Sequence, residues 1–222
     1  MHLHHAGLFG LMSPMNEPLQ NSERAAGPAL LDKAQLFEVI VMEGVDAFNH
    51  YRRQTGYMPL DLSGLDFTAK DMAGINLSNT NLSGCNFDFA YLVESTLILA
   101  DLSRSSCRET DFYMANLEEA DLPHANLEQA NFASASLSEA VLEGCQALRA
   151  NFQDADLSQC NFRKAKLADA DLTGANVMGA DFRDAELEWA ILEDVRFDAS
   201  TQWGKNPPLF VTQTQAGRDG LD

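Results

Sequence analysis

Residues 115–132 read ANLEEADLPHANLEQANF. Leu117, Leu122, Leu127 and Phe132 fall at every fifth position, each two residues after an alanine and one after Asp or Asn. Working outward in both directions, the same register runs unbroken from Leu62 to Phe197. It has 28 centres: sixteen Leu, eight Phe, and Met72, Cys107, Ala147 and Val177. The slot two before each centre is usually small, as in the run Ala115, Ala120, Ala125, Ala130, Ala135, Ala140. A period of five fits neither the 3.6 of a helix nor the 2 of an ordinary strand. Five residues cannot bury their own apolar side chain, so neighbouring units must stack into one continuous core, as solenoids do.

With ADADLTGANVMGADF at 168–182, these phrases resemble the pentapeptide-repeat proteins over about residues 60–200. The resemblance implies an all-β solenoid: a right-handed quadrilateral β-helix with four repeats per coil, hence about seven coils. At the strand spacing of roughly 4.8 Å the rod is about 34 Å long. In that geometry the Leu or Phe fills the lumen and the small residue turns the inward corner. The Asp or Asn between them faces out and bonds the local backbone. The two trailing positions face solvent.

The ends depart from the repeat. Residues 1–28, with Pro14, Pro18 and Pro28, are expected to be disordered. Between Leu30 and Thr55 the apolar spacing (Leu30, Leu31, Ala34, Phe37, Val41, Val45, Phe48) turns helical, and Gly44 is expected to divide it. Residues 29–58 are therefore read as an α-helical cap, covering a coil end that would otherwise template strand pairing. The stretch EGVDAFNHYRRQTGYMPLDLSGLDF (43–67) also resembles the lead-in often found before such repeats. A second role for Arg52 and Arg53, contact with a partner, is left open. The β-helix is assigned to 59–200. In 201–222, Trp203 and Phe210 are expected to plug the last coil, Pro207 and Pro208 to end any strand, and the polar tail to be mobile.

Three internal irregularities carry expectations. Lys70 occupies a small inward slot, so the first coil is expected to distort while the lysine stem snorkels outward. Ala147 is the smallest centre, and either the wall bends inward there or Leu148 swings in. Phe112, Phe132 and Phe152 are twenty residues apart and should stack as a ladder.

Composition narrows the function classes. The chain has 222 residues and a net charge of −18, of which residues 60–200 supply 25 acidic against 9 basic side chains. Such a surface repels nucleic acid and anionic membranes and attracts basic proteins; acidity also simply keeps a flat-sided rod soluble. No run of apolar residues is long enough to span a bilayer, and no secretory signal is expected. Cys85, Cys145 and Cys160 fall in small slots and Cys107 at a centre, where they read as buried small hydrophobes. Cys85 and Cys145 lie three coils apart, about 14 Å by the strand spacing, beyond disulfide reach. A reducing, cytoplasmic setting is expected.

No catalytic constellation is visible. The carboxylates recur with the repeat on convex walls, the five histidines have no nucleophile neighbour, and no phosphate-binding glycine motif occurs. The chain is read as a non-enzyme without cofactor or metal. The informative departure is outward: Phe89, Tyr91, Val93, Ile98, Leu99, Tyr113 and Met114 form an apolar, aromatic cluster across two adjacent coils, with a smaller spot at Trp189 and Ile191. Clusters of this kind mark interaction surfaces. The N-terminal segment folding back over it is the competing reading.

Two functions follow. The favoured one is a rigid protein-interaction module with an unidentified protein partner or a second copy of itself. The alternative comes from the resemblance: an acidic DNA mimic that binds a type II topoisomerase such as DNA gyrase, inhibiting it or protecting it from quinolones. A mimic should carry a stripe of acid, and the column Asp61, Asp101, Asp121, Asp181 is the candidate, diluted by Arg163, Lys164 and Arg183.

Overall fold

The residue before each lumen centre pairs in parallel with the residue twenty positions on. The pairing begins at Leu60↔Thr80 and Asp61↔Asn81, in β1 (Leu60–Asp61) and β2 (Thr80–Asn81), and continues as single bridges to Asn176↔Arg196. A computed structural model describes residues 30–204 of the chain. Twenty residues make one coil of four walls, stacked as a right-handed quadrilateral β-helix. The first wall has its centres at 62, 82 and on to 182, the second at 67 to 187, the third at 72 to 192 and the fourth at 77 to 197.

The five-residue unit accounts for its own amides, as 87–91 shows. Phe87 and Phe89 donate to Ser106 and Arg108 in the next coil, Tyr91 donates to Lys70 in the coil before, and Ala90 closes the corner onto Phe87. The fifth amide, Asp88, donates to the Asn86 side chain. This explains the Asp or Asn before the centre: its oxygen satisfies the one amide the ladder leaves over. The corner residue two after the centre has φ near +55 to +60, as at Glu94 (54°), Leu99 (57°) and Phe89 (61°). A side chain in that conformation costs roughly 1–2 kcal/mol against the right-handed region; the ladder bonds on either side hold it there.

The centres fill the lumen, and every one from Leu62 to Phe182 is buried. Phe112 stacks on Phe132 at 4.7 Å between centroids and Phe132 on Phe152 at 5.1 Å, planes within 5°. Burying each Leu or Phe contributes about 1.5–3 kcal/mol. Several polar or thiol side chains in the small slots reach a centre carbonyl one coil below: Thr110 Oγ1 to Phe87 at 2.7 Å, Cys160 Sγ to Leu137 at 2.9 Å.

The cap comprises α1 (Lys33–Glu38), opened by an Asp32–Gln35 capping box, a π-helical turn over Val39–Glu43, and α2 (Val45–Gln54). Gly44, at φ +90°, joins the turn to α2. Leu36, Ile40, Phe48 and Tyr51 are buried, and Phe37 packs its ring 5.5 Å from Phe67. Asn49 seals the wall edge, donating to the Gly74 carbonyl and accepting from the Asn76 amide. Arg52 is fully buried and donates to the carbonyls of Met58 and Ser78. It is a cap residue and no candidate for partner contact; of the two arginines only Arg53 is exposed.

The expected distortion of the first coil is absent. Asp66↔Asn86, Asp71↔Tyr91 and Asn76↔Thr96 keep the regular register, because the second coil dictates the pairing whatever fills the slots; Lys70 is half-buried within an ordinary corner. Ala147 neither bends its wall nor draws Leu148 inward. Its amide keeps the ladder bond to Lys166, Gln146 stays paired with Lys166, and Leu148 remains outward and half-exposed. The expectations for 1–28, for Phe210, Pro207 and Pro208, and for the tail lie outside the described residues.

At the far end the register does not stop after Phe197 but slips by one. Asp181 pairs with Gln202, twenty-one residues on, so Thr201 takes the small slot and Trp203 the centre. Thr201 Oγ1 donates to Val177 at 3.0 Å, as threonine does in the regular coils.

Candidate interaction surface

The walls separate what the linear sequence mixes. Tyr91, Val93 and Tyr113 lie on the third wall; Val93 and Tyr113 occupy the same position one coil apart. Met114 stands on the corner that follows this wall and Phe89 on the corner before it. Tyr91 is 56% exposed, and Phe89, Tyr113 and Met114 are also open to solvent. Ile98 and Leu99 belong to the fourth wall and its far corner, so the seven candidates wrap around an edge rather than forming one flat patch. Trp189 and Ile191 repeat the positions of Phe89 and Tyr91 five coils later, so the smaller spot shares the third wall with the larger. Trp189 is 85% exposed. The sequence contained this alignment, since 189 and 89 differ by five turns of twenty, but it emerges only when outward positions are folded onto walls.

Between the two spots the third wall is a polar floor fixed by its own hydrogen bonds. Asn131 donates to Asp111 at 2.8 Å, Asn151 to Asn131 at 3.2 Å, and Gln153 to Asp171 at 2.6 Å. This wall and the corner after it carry Asp71, Glu94, Asp111, Asp154, Asp171, Glu193 and Asp194, with no Lys or Arg among their outward positions; Arg149 sits on the preceding corner.

The acidic column Asp61, Asp101, Asp121, Asp181 runs up the first wall, interrupted by Asn81, Val141 and Asn161. Its ends are tied off. Lys33 lies 3.2 Å from Asp61, and Arg183 grips both oxygens of Asp181. Hydrogen bonds from Ser63, then the Lys33 charge, hold Asp61 below the usual carboxylate range; the Arg183 hydrogen bonds do the same for Asp181. Asp121 moves the other way, raised by partial burial and then by the neighbouring Asp101. Its ordinary partner is missing because residue 123 is proline and offers no amide. Arg104, Arg163, Lys164 and Arg183 all project from this wall or the corner after it.

The four thiols are free and buried, and burial pushes them up: Cys85 to about 11, Cys107 and Cys145 to about 12, Cys160 further still. None is a nucleophile at neutral pH. A cleft of about 300 Å³ lies between the cap and the first coil, lined by Leu30, Leu31, Leu36, Tyr51 and Leu60; its charged groups, Lys33 and Asp61, are paired with each other. Among the described residues no His, Cys, Asp and Glu gather in a metal-binding group, and no helix is long and apolar enough to cross a membrane.

Comparison with known proteins agrees with the repeat geometry. The family model described as pentapeptide repeats (8 copies) matches residues 61–97, and the pentapeptide repeat region model matches 115–197, together more than half of the chain. Among solved structures, a pentapeptide repeat protein of the Arabidopsis thaliana thylakoid lumen is 28% identical over 55% of this chain and 68% of its own, with a TM-score of 0.33. Alr5209, a pentapeptide repeat protein of Nostoc PCC 7120, is 32% identical over 50% of this chain and 79% of its own, with a TM-score of 0.18. QnrB1, a plasmid-mediated fluoroquinolone resistance protein, is 19% identical over 74% of this chain and 90% of its own, with a TM-score of 0.32. No curated protein sequence matches the chain.

Proposed function

The chain belongs to the pentapeptide-repeat family, and on that premise we propose that it works without catalysis, as a rigid interaction module that presents its third wall to a protein partner. The observation that carries this reading is the exposed set Phe89, Tyr91, Tyr113 and Met114, fixed on consecutive coils of a hydrogen-bonded ladder. Exposed apolar side chains of this kind mark contact surfaces, and because the wall beneath them is already ordered, binding does not have to order the backbone. Ile98 and Leu99 extend the contact around the edge. A cytoplasmic location fits the four free thiols.

Hydroxyl-radical footprinting of the full chain, with its mass from sedimentation, tests the reading. Oxidation of Tyr91 and Tyr113 in a monomer supports an open contact surface. Protection of both in a dimer that Tyr91→Asp/Tyr113→Asp dissolves assigns the surface to self-association. Protection in a monomer means the chain covers its own patch, and overturns the proposal.

The second reading, an acidic mimic of DNA that binds DNA gyrase, rests on the net charge of −18. The Asp61–Asp181 column gives it little support, since two of its four carboxylates are neutralised within the chain and cations share the wall. A gyrase supercoiling assay with the wild-type protein decides it: inhibition or quinolone protection at stoichiometric protein is the outcome that reading requires.

A further inference from the structure

We infer that the third wall takes a cationic protein segment with an apolar anchor at each end, about 24 Å apart; this rests on the reading of that wall as a contact surface. Three observations converge. First, six of the eight large apolar side chains exposed on the coils are on this wall or its two corners: Phe89, Tyr91, Tyr113, Met114, Trp189 and Ile191, the exceptions being Leu99 and Met178. Second, Trp189 and Ile191 lie in the same columns as Phe89 and Tyr91, five coils apart, which at roughly 4.8 Å per coil is about 24 Å, with Tyr113 and Met114 beside the lower pair. A helix of about 16 residues spans that distance. Third, nine carboxylates line the wall and its two corners, with Arg149 on the preceding corner as the one outward cation, whereas the first and second walls carry most of the others.

The charge decides the occupant. A second copy could run antiparallel and seat its Trp189 against Tyr91, but it would bring the nine carboxylates of the wall and its two corners against nine, with Arg149 as the one outward cation each copy supplies there. Like charges brought together across an interface are unfavourable, and opposite charges steer association. A segment with Lys or Arg along its middle complements Asp111, Asp154 and Asp171, and its terminal apolar side chains cover the aromatic groups. The floor between is flat and already hydrogen-bonded, so binding need not reorganise it.

Trp189 reports the encounter, because its ring is exposed while Trp203 is buried against Phe182. The probe is a synthetic helical peptide of about 16 residues with Leu at both ends and Lys between, compared with versions carrying Glu for Lys and Ser for Leu. The inference expects the Lys/Leu peptide to blue-shift Trp189 emission and to weaken as salt rises. Affinity should fall at least tenfold for the Ser-ended peptide, for Tyr91→Ser/Tyr113→Ser, and for Glu94→Gln/Asp111→Asn. It should be unchanged in Asp101→Asn/Asp121→Asn on the first wall. No binding, equal loss from the first-wall pair, equal binding of the Glu peptide, or a wild-type dimer seated on this wall would each overturn it. Footprinting that finds the wall open while the peptide fails to bind sinks this inference and leaves the contact-surface reading standing.

Discussion

Trp203 stacks on Phe182 with centroids 5.0 Å apart and planes within 7°, one residue later than a strict period of five would place it. Phe182 in turn stacks on Phe162 at 5.1 Å, so the indole ends a column of rings running up the first wall. Phe197 meets the same indole edge-on at 5.9 Å. The last coils are thinly buried, with Leu187, Leu192 and Phe197 only partly covered, so closure of this end falls to Trp203.

Trp203→Ala is expected to remove about 3 kcal/mol from the C-terminal end. In a solenoid each coil contacts only its neighbours, so the loss should appear as fraying and not as global unfolding. Hydrogen exchange checks this: the amides of Phe182, Glu186 and Ile191 should lose protection while those of Leu117 and Leu127 keep it. Uniform loss throughout would mean the coils unfold as one unit.

Two buried serines in equivalent slots should respond in opposite directions. Ser105 Oγ donates to Leu102 at 2.7 Å, whereas the buried Ser95 Oγ has no partner. Removing a satisfied buried hydroxyl costs roughly 1 kcal/mol, and removing an unsatisfied one relieves a desolvation penalty of similar size. Urea denaturation midpoints should therefore fall for Ser105→Ala and rise for Ser95→Ala. A fall in both would show that Ser95 has an acceptor after all.

The walls, the centres and the ring ladder were legible because every centre side chain entering the lumen must be apolar and recurs at every fifth position, so the period announces itself wherever burial is enforced. Lys70 and Ala147 suggested local distortion as departures from the repeat pattern, yet the backbone there follows its ladder partners, and the side chain adapts instead. Arg52 was legible as part of the helical cap, with partner contact left open, but not as a buried residue. Its burial depends on two carbonyls, at Met58 and Ser78, brought together by the cap. Outward positions carry no such constraint. The coincidence of Phe89 with Trp189, and the gathering of cations away from the third wall, therefore appear only after folding the register by twenty.

Arg52→Met should cost more than an ordinary surface change. It leaves the Met58 carbonyl without its donor and the Ser78 carbonyl with the Thr80 hydroxyl alone, and removes the cation held 5.7 Å from the Tyr57 ring centroid. One orphaned carbonyl and one lost charge-assisted bond predict a loss of about 1–3 kcal/mol. Arg52→Lys should not restore it, because a single ammonium cannot reproduce the two-pronged fork. With the cap loosened, the first-coil edge is exposed, so light scattering should show concentration-dependent association. Wild-type stability in the lysine variant would contradict the fork.

Asp121 supplies the pH test. Its folded-state pKa is raised, first by burial and then by Asp101, so the folded chain holds the proton more tightly than the unfolded chain does. Stability from this group is fully present below the unfolded value of about 3.9 and is lost as pH rises through the folded value. At pH 7 the ionised carboxylate is therefore a cost, and proline at 123 denies it an amide to accept from. Asp121→Asn should stabilise the protein at pH 7 by a few tenths of a kcal/mol, the exposure of the site keeping the gain small. The gain should vanish below about pH 4. Asp181→Asn must behave oppositely, because Arg183 lowers that carboxyl: it should destabilise at pH 7, with the difference fading as acid protonates the wild-type group. Thermal melts of both variants from pH 3 to 8 check the pair. Parallel curves for the two would mean that the proline and the arginine are not what sets these carboxylates apart.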